Sequence, residues 1–595
     1  MKKNQKLFAF LGRYRGIFAL VLFPAVHFYL LEAYTHNGFV QVRPWSQFFN
    51  IILYELAAWI LFFLTRSVRA ALLAEGICAM ALGLANYYVY TFRSLPLVPW
   101  DLLSAGTAAS VAGNYDFTPT PRVAAVVAAF AAVFALEWFC RLDLEKKKRR
   151  FFLLWAVLLG VGLNVFAGVL QQEDFQNRHR MYNKLFTPVF MWQVNGFALT
   201  MVMELPYLAV EKPSGYRKEE AKEILASYEP EQENAPEAEK PNIIVIMDEA
   251  FSDLGVLGDF TPSEDYMPYF HRMEEEAKSA AHMVSGSLHV SVCGGNTANT
   301  EFEFLTGNTM AFLPQGSIPY QQYIKREIPA LPSYLKELGY ETYAMHPYYS
   351  AGWDRDRVYP LLGFSNLEFI SDYSQKRYIR EYVSDETCMN KIIDTFEQKD
   401  AGKPMFLFHV TMQNHGAYGT VYDNFAPDIF VEGADSYALS TYLSLIKRTD
   451  EALETLISYF SEKTEPVMVV FFGDHQPNDT VAEPVLRQNQ MSYRTLTEEQ
   501  TRLRYQVPYL IWANFDLKGG VSGREGNKTD ISANYLGVRV LEAAGLPLPA
   551  YQSFLKELLE RLPVVSAVSD TSYGDNAAAM GQYQKLQYYQ LFDGP

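Results

Sequence analysis

At 595 residues the chain is too long for one ordinary core, and its net charge of −16 argues against a broad face for the phosphate backbone of nucleic acid. Its four cysteines, Cys78, Cys140, Cys293 and Cys388, match no zinc spacing and are too few to staple a disulfide scaffold. Charge is unevenly spread: residues 1–170 are rich in apolar runs and carry a net +8, which leaves −24 on the other 425.

Five apolar stretches, 17–34, 48–65, 71–91, 123–140 and 151–170, are each long enough to cross a bilayer. Lys2, Lys3, Lys6, Arg13 and Arg15 precede the first, Arg66 and Arg69 follow the second, and "RLDLEKKKRR" (141–150) follows the fourth. Loops 35–47 and 92–122 are nearly free of basic residues. The positive-inside rule therefore predicts a cytoplasmic amino terminus, five crossings and everything after residue 170 outside. Because further spans follow at once, the first reads as a retained helix, not a cleaved signal peptide. No charged pair stands out inside the runs, so they read as an anchor and not as a transport path. The stretch "TPVFMWQVNGFALTMVMELPYLAV" (187–210) is broken by Gln193, Asn195, Gly196, Glu204 and Pro206, and reads as a helix along the membrane interface. Residues 211–241 are charged and Pro-containing, a tether. The expected division is a transmembrane domain over 1–170, an interfacial helix and linker over 171–241, and an outer domain over 242–595.

From residue 242, short apolar runs alternate with helical stretches. Strands are predicted at 242–247, 341–345, 405–412, 467–473 and 507–513, and helices at 330–339, 384–399 (capped by Ser384) and 444–463. This is the pattern of an α/β domain with a mostly parallel sheet covered by helices on both faces. In such sheets the ligand crevice lies beyond the carboxyl ends of the strands. The residues just past those ends are Asp248 and Glu249, Asn414 and His415, Asp474 and His475, and His346 with Trp353 and Arg355 in the loop beyond. Singly, each has an ordinary explanation as a turn cap or a packed side chain. Their convergence on one edge is the functional signal. Two carboxylates, an imidazole and a hydroxyl suit a divalent ion such as Mn²⁺ or Mg²⁺, with Zn²⁺ possible. A threonine hydroxyl held there loses its proton more readily and can attack phosphorus. Thr297 follows Gly294 and Gly295, which let the backbone come close to a substrate.

As an ordered set, the strand ending at Glu249, "GGNTANTEFEFLTG" (294–307), "LPQGS" (313–317), "WDRDR" (353–357), "QNHGAY" (413–418) and "GDH" (473–475) resembles the lipoteichoic acid synthase family. These are membrane-anchored phosphoglycerol transferases of the alkaline phosphatase and sulfatase fold, found in Gram-positive bacteria. The resemblance implies that Thr297 is the nucleophile and binds manganese together with Glu249, Asp474 and His475. It implies that His346, Trp353, Arg355 and His415 line a phosphoglycerol pocket. Thr297 would then attack phosphatidylglycerol, release diacylglycerol and pass phosphoglycerol to a glycerol-phosphate polymer or glycolipid acceptor. The turn after His475 departs from the family with Asn478 and Asp479. A phosphoethanolamine transferase, a phosphatase-like hydrolase and a non-catalytic receptor for wall polymer are the competing expectations. Sulfate ester hydrolysis is disfavoured, because Cys293 lacks the proline and arginine of the C/S-x-P-x-R sulfatase pattern.

Overall fold

A computed structural model describes residues 2–93, 96–102, 117–140, 149–183, 188–208, 210–228, 240–314, 317–492, 496–521, 529–569 and 573–594. The chain divides near residue 209 into two units.

In the first unit, four helices are long and apolar enough to cross a membrane: Arg15–Glu32, Pro44–Thr65, Val68–Thr91 and Arg150–Leu170. The fifth expected stretch, 123–140, forms the shorter 17-residue helix Pro121–Glu137. Thr120 caps its start, accepting from the Val123 amide, and Pro121 fixes the first turn. At about 1.5 Å per residue this helix rises roughly 25 Å, at the lower end of the lengths that span a bilayer. A multi-pass helical bundle followed by a large carboxyl-terminal domain of the extracellular type matches the topology expected from the charge distribution.

The expectation of spans without charged pairs is corrected. His27 is fully buried, with Nδ1 3.0 Å from Glu75 Oε2 and Nε2 2.9 Å from Glu137 Oε1. One imidazole thus joins three helices. No local pattern announces it, because the three residues meet only through the rotation of separate helices. Residues 188–204 form two eight-residue helices, Pro188–Asn195 and Phe197–Glu204, broken at Gly196 (φ 82°). Each rises about 12 Å, too short to cross. The amides that open the second are taken by Glu32 Oε1 (from Phe197, 2.7 Å) and Asn50 Oδ1 (from Leu199, 2.9 Å).

The second unit begins at Val210. Part of the expected tether belongs to it: helix Lys218–Ala226 buries Ala221 and pairs Glu220 with Lys585 at 2.7 Å. Residues 229–239 of that stretch lie outside the described residues. The sheet strands are β1 (Asn242–Asp248), β2 (Met283–His289), β3 (Glu341–Met345), β4 (Asn366–Glu368), β7 (Met405–Val410), β8 (Val467–Gly473), β9 (Gln506–Ala513) and β10 (Ile531–Ser532). Between β4 and β7 a separate hairpin pairs β5 (Tyr378–Ile379) with β6 (Tyr382–Val383). The sheet order is β10-β2-β9-β8-β1-β7-β3-β4. Five pairings are parallel and two, β2 with β9 and β8 with β9, are antiparallel. The run at 507–513 gave no hint of its direction, since a strand buried on both faces reads alike either way. β2, β4 and β10 went unforeseen because they are short or, like "MVSGSLH", too polar to stand out.

Both faces are covered. Ile243, Val245 and Met247 of β1 join one core, Ile244 and Ile246 the other, as strand alternation requires. Helix Tyr437–Ser461 packs on the second face, capped by Ser436 through the Leu439 amide, and starts seven residues before the expected 444. β1 sits at the centre, between β7 and β8, so the loops leaving these strands diverge around one crevice.

Candidate active site

The register aligns Asp248, the last residue of β1, with Gly473, the last of β8. Glu249 and the pair Asp474–His475 therefore emerge side by side. Gly473 is required there, because an added Cβ would lie 1.9 Å from the Phe251 carbonyl oxygen. Three cross-links fix the turn further. The Asp474 amide donates to Asp248 O at 3.2 Å, the Ala250 amide donates to Asp474 Oδ1 at 2.7 Å, and the Glu249 amide donates to Thr411 Oγ1 at 3.0 Å.

Thr297 opens helix Thr297–Thr306, all ten residues of which are buried. Gly294 (φ 73°), Gly295 (φ 152°) and Asn296 (φ 67°) make the turn into it with left-handed backbone. The Gly294 amide donates to Gln476 O at 2.9 Å, and Thr300 Oγ1 to Asp474 O at 2.7 Å, so the helix start is bolted to the β8 loop. Thr297 Oγ1 lies 3.4 Å from Glu249 Oε2. The positive end of the helix favours negative charge on that oxygen and on any phosphoryl group beside it.

Ligand atoms of Glu249, Asp474 and His475 all fall within 4.8 Å of one another. His475 Nε2 is 3.2 Å from Asp474 Oδ2 and 3.8 Å from Glu249 Oε1. His475 Nδ1 lies 2.9 Å from the Gln476 carbonyl, which assigns the proton to Nδ1 and leaves the Nε2 lone pair facing two carboxylates. Asp474 Oδ2 and His475 Nε2 are buried without a hydrogen-bond partner. Burial, and then the Asp474 charge, pushes the Glu249 carboxyl well above its usual range, and burial likewise raises Asp474. Two orphaned acceptors and the Glu249 carboxylate converging in a buried place fit a divalent cation, which this donor set would hold with the Thr297 hydroxyl alongside.

Around the trio runs a polar network. Asp248 accepts from Asn414 Nδ2 (2.9 Å) and Thr411 Oγ1 (3.0 Å), and Thr449 Oγ1 ties Asn414 to Asp385. Burial lifts Asp385 to about 7 and Asp248 well above its usual range, so the two do not both carry full charge at neutral pH.

His346 follows β3 and lies with Nδ1 3.0 Å from Val410 O, at the end of β7. His415, in the loop after β7, has Nδ1 2.9 Å from the Tyr382 hydroxyl. Burial first, then the Arg355 charge, drives His346 well below the usual imidazole value. Burial, then Arg380 and His475, takes His415 to about 4. Both rings are neutral at physiological pH. Arg355 is 2% exposed and sits on Glu301, four residues along the helix from Thr297, through Nε (3.0 Å) and Nη2; Tyr359 donates to the other Glu301 oxygen at 2.8 Å. Trp353 is half-buried against the core, held in left-handed backbone (φ 57°) next to Asp354 (φ 57°), instead of being tied to the trio by a hydrogen bond. Thus the fold gathers Glu249, Thr297, Asp474 and His475, and sets His346, Arg355 and His415 around them.

Among the described residues all cysteines are free; Cys293 is partly buried, desolvation lifts its thiol to about 11, and it is no nucleophile at neutral pH. Asn478 caps helix Asp479–Gln488 through the Thr480 amide. Gln315 and Gly316 of "LPQGS" lie outside the described residues. The residues missed from sequence are Glu301, Asp385 and Arg380. Glu301 was legible as i+4 to Thr297 on a helix; Arg380 sits in a hairpin turn with no motif around it.

The chain is similar to several known proteins. A Rhizobium meliloti protein named for cyclic beta-1,2-glucan modification is 29% identical over 516 residues, covering 84% of this chain and 77% of that one. The Streptococcus pyogenes phosphoglycerol transferase GacH in complex with sn-glycerol-1-phosphate aligns at 21% identity and TM-score 0.51 over 65% of this chain and 96% of its own. The lipooligosaccharide phosphoethanolamine transferase A of Neisseria meningitidis aligns at 15% identity and TM-score 0.52 over 88% of this chain and 95% of its own. At those identities the two structures establish a fold common to phosphoglycerol and phosphoethanolamine transferases. Residues 241–546, just over half of the chain, match the sequence pattern of the sulfatases, and the chain belongs to the Sulfatase family.

Proposed function

We propose that this chain is a metal-dependent transferase that moves phosphoglycerol from a membrane lipid to a saccharide hydroxyl through a phosphoglyceryl intermediate on Thr297. The observation that carries it is the Thr297 hydroxyl at 3.4 Å from Glu249, at a helix start, beside three converging ligand atoms. When bound, a divalent ion at Glu249, Asp474 and His475 supplies charge neutralisation and lowers the energy of the threonine alkoxide. Glu249 Oε2 orients the Thr297 hydroxyl by accepting its hydrogen bond. Thr297 Oγ attacks phosphorus, the Oγ–P bond forms, and the bond from phosphorus to diacylglycerol breaks with a proton passing to the departing oxygen. An acceptor hydroxyl then attacks the same phosphorus, the Oγ–P bond breaks and the proton returns to Thr297.

The choice of glycerol rests on charge. His346 and His415 are neutral and suited to hydrogen-bonding hydroxyls, whereas an ammonium headgroup would meet the guanidiniums of Arg355 and Arg380. The nearby Glu301 is already occupied by Arg355 and Tyr359. A saccharide acceptor is supported by the Rhizobium meliloti relative named for glucan modification, in preference to the polymer implied by the lipoteichoic acid resemblance. The phosphoethanolamine reading rests on the shared fold alone. Full-length protein with Mn²⁺ and fluorescent phosphatidylglycerol or phosphatidylethanolamine tests both: diacylglycerol from the first lipid, with a phosphoglyceryl adduct on Thr297 by intact mass, is the expected result. Diacylglycerol from phosphatidylethanolamine alone overturns it.

A further inference from the structure

Arg380 is the first residue of the two-residue turn joining β5 and β6, where side chains usually point to water. Its guanidinium is instead buried, with only 3% of the residue exposed. Nη2 donates to two carbonyls of the loop after β7, Gln413 O and His415 O, both at 2.7 Å. The rings of Tyr382, Tyr418 and Tyr422 surround it with centroids 5.6 to 6.0 Å away. Nε and Nη1 are buried with no hydrogen-bond partner, and among the described residues Arg380 forms no ion pair with a carboxylate. A buried cation with idle donors costs several kcal/mol unless an anion meets it.

Its surroundings say where that anion comes from. The carbonyl it holds belongs to His415, and Tyr382, stacked on it, donates to or accepts from His415 Nδ1. Its charge reaches both Glu249 and His415. Arg355, the other guanidinium acting on Glu249, is already matched by Glu301. Arg380 is thus the guanidinium beside the trio that no carboxylate matches, the complement of an anionic phosphodiester oxygen.

We propose that Arg380 is an anion-binding residue that takes a non-bridging oxygen of the substrate phosphodiester through Nε and Nη1. The inference rests on the phosphoryl-transfer reading above and adds a contact beyond the residues that the sequence pointed to. Arg380 acts by charge and by a planar fork of donors, which lysine reproduces only in part.

The test uses full-length Thr297→Ala protein in detergent with saturating Mn²⁺, titrated calorimetrically with inorganic phosphate, glycerol 1-phosphate and short-chain phosphatidylglycerol, with and without Arg380→Gln. Loss of one charge-assisted contact is expected to weaken all three probes by roughly 10- to 100-fold, with Mn²⁺ binding retained. Arg380→Lys, which keeps the charge, is expected to fall between, and covers the case in which the glutamine variant does not fold. Unchanged affinity for every probe overturns the proposal, as does a lower melting temperature with unchanged affinity, the signature of a purely structural arginine. Loss for inorganic phosphate alone overturns the phosphodiester assignment. Loss for phosphate and phosphatidylglycerol, where glycerol 1-phosphate binds no better than phosphate, sustains Arg380 while refuting glycerol as the headgroup.

Discussion

Glu301 offers the sharpest test of how the site is built. Its Oε1 holds Arg355 through Nε and Nη2, its Oε2 accepts from Tyr359, and it is fully buried with Arg355 at 2% exposure. Glu301→Leu would strand a buried guanidinium, a loss of about 3 to 5 kcal/mol, and leave the Tyr359 hydroxyl unpaired, about 1 kcal/mol more. Against a typical domain stability of roughly 5 to 15 kcal/mol this is a large fraction. Thermal unfolding of full-length protein in detergent, followed by intrinsic fluorescence, should show a drop of many degrees. Glu301→Gln, which keeps one acceptor, should lose about half as much. The double variant Glu301→Leu with Arg355→Met should be more stable than Glu301→Leu alone, because the stranded charge has gone. A Glu301→Leu protein that melts with the unaltered chain would refute the claim that Arg355 is matched by Glu301, and with it the reasoning that singles out Arg380.

Thr297→Ala is expected to abolish diacylglycerol release and the covalent adduct while leaving the melting temperature within a few degrees, since the Thr297 hydroxyl's contact to Glu249 is a long 3.4 Å; mass spectrometry and a melt on one sample check both. Chelation should destabilise the second unit, and Mn²⁺ at a hundred times its dissociation constant should restore about 2.7 kcal/mol by mass action; a melting temperature indifferent to chelator and metal would count against the site. Glu303 gives a pH signature away from the trio. Burial raises its carboxyl from 4.5 to about 7, so its contribution to stability is full below about 4.5 and is lost as pH rises through about 7, on the order of 3 kcal/mol. Unfolding free energies of the Glu303→Gln variant should lack that fall between about pH 4.5 and 7; a parallel fall in both proteins would reject it.

The sequence alone determined the alternation of strands and helices, the membrane-embedded beginning, and the polar residues past each strand end. It could do so because apolar periodicity and strand–turn punctuation are local properties. It also brought Glu249, Asp474 and His475 to one edge, since residues at the carboxyl ends of adjacent strands meet there, while Thr297 joined them through the family resemblance. Only the tertiary structure decided what depends on how distant segments pack. The direction of β9 follows from its neighbours, not from its apolar run. His27 finds Glu75 and Glu137 through the rotation of three helices, and Arg380 turns inward from a hairpin because Tyr418, Tyr422 and two carbonyls from the loop after β7, with Tyr382 of its own hairpin, make a place for its charge.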